Sequence, residues 1–352
     1  MSKEVDYVVV GQGIAGSLLV DHLLERGKTF IVYDQGHKGS STNNAAGIIN
    51  PVTGRRYVKS WLFDELLTDA LSHYRRLEKE LGIKLIYQKN IIRSIPDQKT
   101  LNDWLAKSAW PDYEKYVVLS PDLATFEPAL ELGGIWSEVT NSFQIDLPLL
   151  ICEMRKKLID RGILRPERLD QQQIGFGKNG ITYQDLSAKN IIFCEGSYVI
   201  KNRFFPGQSF LNPSKGENLL LKIPGFYPSK MIKKKYFLVH LPDGLFWFGA
   251  KDGWHFSDDS PSEEGYEFLL RQASKLINIP FEIVEHRAAI RPTIRDRRPV
   301  IGSHPDLKGV YLFNGFGTKG ASLGPHWAKR LIEHIERGVP LENILDPYRF
   351  AN

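Results

Sequence analysis

The stretch from Tyr7 to Gln35, YVVVGQGIAGSLLVDHLLERGKTFIVYDQ, constrains this chain more than any other. An apolar run leads into a turn with glycines at 11, 13 and 16, then an amphipathic helix beginning near Ile14 and Ala15, a second apolar run and an acid, Asp34. Gly11 allows the tight turn, Gly13 lets the backbone approach a pyrophosphate, and Gly16 lets helix and strand pack closely. The first amides of the helix and its positive end then face the phosphates. Asp34, followed by Gln35, stands where a carboxylate accepts hydrogen bonds from ribose hydroxyls and disfavours a 2′-phosphate. The expectation is a strand–helix–strand unit for an adenine dinucleotide other than NADP.

The chain has 352 residues and is 42% hydrophobic, enough for two domains. Its net charge of +5 is mild. The run Lys233, Lys234, Lys235 reads as a solvated turn rather than a nucleic-acid patch. Cys152 and Cys194 form no CxxC pair, and His240, His255, His286 and His304 show no ligand spacing, so neither a disulfide framework nor a metal site is expected. The N-terminal apolar run is too short for a signal peptide or a membrane span, which reads as cytoplasmic.

The loop GHKGSSTNNAAGIINPVTGRR after Asp34 is long and rich in backbone donors, as ligand-holding loops at the carboxyl edge of a parallel sheet are. Helical spacing runs from Trp61 to Leu81, stopped by Gly82, and again from Leu147 to Arg161, stopped by Gly162. Residues 83–143 read as short β-like runs, 190–196 as a buried strand, and 217–256 as antiparallel strands. The string G-x-G-x-x-G recurs at Gly175, read as a hairpin turn, and at Gly315, where it joins a strand to a helix from about Ala321 to Arg337. That third glycine loop can aim amides and Lys319 at an electron-rich ligand. The fold class is α/β: a Rossmann-type domain formed by 1–82, 144–214 and 286–352, interleaved with an α+β domain built on an antiparallel sheet from 83–143 and 215–285.

The fingerprint, SSTNNAAGIINP, IIFCEG, FWFGAKDGW and the block AAIRPTIRDRRPVIG…VYLFNGFGTKGASLGP, in that order, resemble the D-amino-acid-oxidase-like family of FAD enzymes that includes the glycine and sarcosine oxidases. The resemblance covers nearly the whole chain. It implies FAD as cofactor, bound without a covalent link because Ile290 stands where covalently flavinylated members have cysteine. It places Ser41, Thr42, Ala46, Gly47 and Ile48 along the pyrophosphate and isoalloxazine and Gly196 close by. Gly317, Thr318, Lys319 and Gly320 would sit beside the flavin pyrimidine.

By the same resemblance Arg291 is a substrate-carboxylate clamp, Lys251 promotes reaction with oxygen, and Arg55 or Arg56 touches flavin or substrate. Trp254, with Trp247, Phe246 and Phe248, offers an aromatic roof. The residues leave other roles open: an internal ion pair for Arg291 with Asp296 or another acid, and solvated lysines at 251 and 319. The implied reaction is oxidation of a small amino acid or secondary amine, with electrons passed to O2 or another acceptor. INPVTGRR and RPTIRDRRPVIG also resemble the oxidase half of a bifunctional tRNA-uridine modification enzyme. Further alternatives are a dehydrogenase using a non-oxygen acceptor and a non-catalytic redox sensor.

Overall fold

The computed structural model describes residues 3–37, 39–54, 57–177 and 180–350. The run YVVV forms the end of strand Lys3–Val10, buried on both faces as the interior strand of a parallel sheet must be. Tyr7 and Val9 face one core and Val8 and Val10 the other. Its parallel neighbours are Phe30–Tyr33 and Leu186–Phe193; Leu164–Arg165 extends the sheet beyond the first and Val310–Asn314 lies beside the second. Val10 is in register with both Tyr33 and Phe193, and Phe193 with Leu312. These strands therefore deliver their following loops to one edge.

A second eight-stranded sheet runs in the order Glu282–Arg291, Ser214–Lys222, Phe246–Gly253, Phe237–His240, Met231–Lys233, Ile91–Ile95, Ile135–Val139, Val117–Val118. It is antiparallel except where Met231–Lys233 runs parallel to Ile91–Ile95. One face carries Leu219, Leu221, Phe246 and Phe248 and is covered by helix Glu263–Ser274 through Leu269 and Ala273. The other, with Leu220, Trp247, Met231 and Ile91, joins the same core as the fingerprint helix. Burying that face against the nucleotide-type domain is what holds the interleaved halves together.

Helices Phe63–Leu81 and Gly320–Arg337 follow their apolar spacing closely, the first stopped by Gly82 at φ +66°. Two of the longer helices depart from the sequence expectation. Gln98–Ser108 lies in the segment read as β-like, and Glu263–Ser274 lies where no element was expected. The apolar stripe of Gln98–Ser108, Leu101, Trp104 and Leu105, is little more than one turn long and only Trp104 of it is buried, too short to stand out from the runs around it. The expected junction at 286 falls inside the continuous strand Glu282–Arg291, which pairs along Ser214–Lys222. Lys233 also differs from its reading as part of a solvated turn: it ends a strand and is half-buried on the sheet's inner face. No helix of the described residues is long and apolar enough to cross a membrane.

Candidate active site

Gly11 has φ +98°, and a Cβ there would lie 2.5 Å from the Cys194 carbonyl oxygen. A Cβ on Gly16 would lie 1.9 Å from the Gly11 carbonyl oxygen, so turn and helix touch backbone to backbone. Gly13 is more open, its nearest neighbour being Thr42 Oγ1 at 3.3 Å. Helix Ile14–Glu25 begins there with no capping side chain of its own; Thr42 Oγ1 accepts from Ile14 N at 3.1 Å, and Ala15 is the next residue in. Asp34 accepts from Gln12 N at 2.8 Å, Gly36 N at 2.7 Å and Arg155 Nη1 at 2.7 Å. A carboxylate with two acceptor positions per oxygen keeps one of them, on Oδ2, for a further donor. Gln35 is exposed. Arg155, from helix Leu147–Asp160, is an addition that no sequence pattern marked.

The loop after Asp34 is pinned at Gly47, whose φ is +69° and whose Cβ would meet the Ile145 carbonyl oxygen at 1.8 Å. Ile145 N donates back to Gly47 O at 2.9 Å, and Ala46 and Thr42 are buried, with Ser41 and Ile48 half-buried beside them. Arg55 and Arg56 lie outside the described residues. At the neighbouring strand end Gly196 has φ +59° and accepts from Asn314 Nδ2 at 3.0 Å, tying two carboxyl strand ends together.

The C-terminal glycine loop comes back to the fingerprint. Gly320 opens the last helix with its Cβ position 3.0 Å from Ile14 Cγ2, so the two helices begin side by side. Lys319 is the N-cap and makes no side-chain cap, and Gly317 (φ +53°) and Thr318 precede it. Burial pushes the Lys319 ammonium below its ordinary pKa, and Arg298 and Arg297 add to the effect. Arg298 stacks 4.5 Å over Trp61, which itself stacks on Trp327 at 5.7 Å. Two adjoining helix starts, one of them headed by a cation, form a site for an extended anionic or electron-rich ligand.

Arg291 and Lys251 part company in the second sheet. Arg291 lies over Gly216 of the adjoining strand and reaches across it to pair with Asp252 on the strand beyond, on the inner face. Its internal partner is thus Asp252, while Asp296 is taken by Arg349 at 3.0 Å. Lys251 lies 2.8 Å from Glu264 and 5.6 Å from the Phe268 ring, both on the covering helix. A register shift at Glu217/Asn218 turns it to that face. Trp247 does face inward, donating to Asn44 O at 2.9 Å, whereas Trp254 is 54% exposed. Among the described residues no His, Cys, Asp and Glu cluster could hold a metal.

Residues 6–334 match the family model described as DAO, FAD dependent oxidoreductase. The chain belongs to this family. It is an FAD-dependent oxidoreductase, and the paired helix starts and the glycine cradle at 11–16 fit that cofactor. Among curated relatives it is 24% identical to the glycine oxidase of Pseudomonas putida over 100% of this chain and 98% of that protein. It is also 24% identical to a tRNA 5-methylaminomethyl-2-thiouridine biosynthesis bifunctional protein of Marinobacter nauticus, over 93% of this chain and 55% of that protein. The crystal structure of glycine oxidase from Geobacillus kaustophilus superposes with a TM-score of 0.81, covering 99% of this chain and all of that one at 18% identity. At that identity the likeness is one of fold.

Proposed function

We propose that this family member oxidises the C–N bond of a small amino acid or secondary amine. FAD, when bound, supplies the acceptor for a hydride from the carbon beside nitrogen. Arg291 would hold the substrate carboxylate through its guanidinium fork, which fixes the direction of that C–H bond. To do so it must exchange Asp252 for the substrate, trading one carboxylate for another. Lys319 and the amides at 317–320 would stabilise negative charge developing on the reduced cofactor, and Ile14, Gly13 and Thr42 would hold the pyrophosphate. With a proton lost from nitrogen the oxidised product is an imine, which water hydrolyses to a carbonyl compound and ammonia or an amine, so no protein nucleophile is required. Electrons would pass to O2, giving H2O2.

The observation that carries this reading is the Arg291 guanidinium, on the inner face of the substrate sheet and matched to a carboxylate already in place. A second reading is oxidation of a glycine-like group on a modified tRNA uridine, supported by the similarity to the bifunctional tRNA enzyme. Anaerobic mixing of FAD-loaded protein with glycine, sarcosine, larger amino acids and modified tRNA, followed by admission of air, separates them. Bleaching by free amines with H2O2 formed in air is the expected result. Bleaching by tRNA alone favours the second reading, and bleaching by none sinks both.

A further inference from the structure

The inner face of the second sheet carries a row of direct cross-strand partners: Asn218, Gly249, Phe237, Lys233 and Arg93. Asp252 stands on the same face one step along the strands, opposite Gly216, and Arg291, in register with Ser214, reaches over Gly216 to meet it. Three cations therefore share a surface on which Asp252 is already paired with Arg291. Among the described residues neither Lys233 nor Arg93 has a carboxylate partner within ion-pair distance, and Asp252 is the acid whose field reaches Lys233.

The two cations are not equivalent. Arg93 is fixed: it donates to Gly54 O at 2.7 Å and to Val52 O at 3.4 Å and stacks 4.1 Å over Tyr57. Lys233 spends one of its three donors, on Lys235 O at 3.0 Å, and lies 4.3 Å over the Phe237 ring. Half-buried positive charge without a counter-ion is costly, and an arriving anion relieves the cost. Burial, with Arg93 adding repulsion, pushes the Lys233 ammonium down to about 8, the behaviour of a cation that lacks its partner.

We propose that the substrate is an amine bearing two acidic groups, one beside the reacting nitrogen on Arg291 and a second carboxylate at its far end on Lys233, in the field of Arg93. This rests on the amine-oxidation reading above. A single carboxylate on Arg291 leaves the Lys233 ammonium uncompensated, whereas a diacid answers both cations.

The test uses FAD-loaded protein and two unreactive probes, glutarate and butyrate, with binding read from perturbation of the flavin spectrum. Glutarate should bind at least about tenfold more tightly than butyrate, the margin of one charge-assisted hydrogen bond. Lys233→Gln should erase that margin while leaving butyrate unchanged, and Lys233→Met, which keeps the packing on Phe237, should do the same should the first variant lose FAD. Equal affinities in the unmodified protein, or equal weakening of both probes in the variants, overturns the proposal. Displacement of glutarate by an unmodified tRNA at comparable affinity assigns the cations to phosphate and also overturns it. Should no amine bleach the flavin while the Lys233-dependent margin persists, the oxidation reading falls and the diacid site stands.

Discussion

At the scale of single residues, Arg291 and Asp252 make opposite predictions. Arg291→Met should retain FAD and lower kcat/KM for the amine acid by about 10²–10³, because a bidentate contact and its orienting effect are lost together. Asp252→Asn removes the competitor for the same guanidinium and should lower KM several-fold in steady-state assays. Lys319→Met should make the flavin midpoint potential more negative, measured by reductive titration, because a cation at the helix start is removed. Lys251 faces Glu264 and Phe268 on the covering helix. Lys251→Met should therefore leave kcat/KM for O2 within about twofold, since an exposed ion pair of this kind contributes little. A large loss of oxygen reactivity would show that Lys251 turns toward the cofactor in the working enzyme.

At the scale of elements, the glycine turn is readable because each glycine has a steric reason. Gly16→Ala forces a Cβ onto the Gly11 carbonyl, with Cys194 Cβ 3.6 Å away, and should destabilise the protein by about 1–3 kcal/mol in urea titrations while abolishing FAD retention. Gly13→Ala meets the Thr42 hydroxyl oxygen at 3.3 Å. It should fold near normally yet bind FAD more weakly, because the added methyl occupies the ligand's side of the turn. Long amphipathic helices such as Phe63–Leu81 were equally legible from their stripe. Helix Gln98–Ser108 was not, since its stripe of Leu101, Trp104 and Leu105 is little more than one turn long. The face on which Lys251 lies was hidden for another reason: a register shift in the neighbouring pairing reverses the alternation that sequence counting assumes.

At the scale of the whole molecule, helices Ile14–Glu25 and Phe63–Leu81 enclose a buried cluster behind the site. His73 Nε2 lies 3.2 Å from Asp21 Oδ2, with the His22 ring 4.7 Å from that of His73. Burial, then His22 and Arg76, push the His73 pKa down to about 2, and burial pushes Asp21 up to about 6. The unfolded chain protonates His73 near 6.5 while the folded one does not, so this histidine's contribution is intact above that pH and lost as pH falls below it. Asp21 works the other way: its burial penalty is present above about 6 and relieved as pH falls toward its unfolded value. Comparing unmodified protein with His73→Gln isolates the first effect. The stability difference between them should shift against the unmodified protein by on the order of 1–2 kcal/mol from pH 8 to pH 5 in urea melts.

The glycine turn, the α/β class and the long helices were legible in the chain alone, because each depends on local sterics or on a short periodic pattern. Motifs in chain order also singled out Arg291 and Lys319. Direction and company came from folding: Gly320 begins its helix against Ile14, Arg291 is paired with Asp252, and Lys233 turns inward beside Arg93. Those facts depend on strand order, register and bulges across hundreds of residues. A side chain's face and its counter-ion are set by neighbours that the chain brings together only on folding.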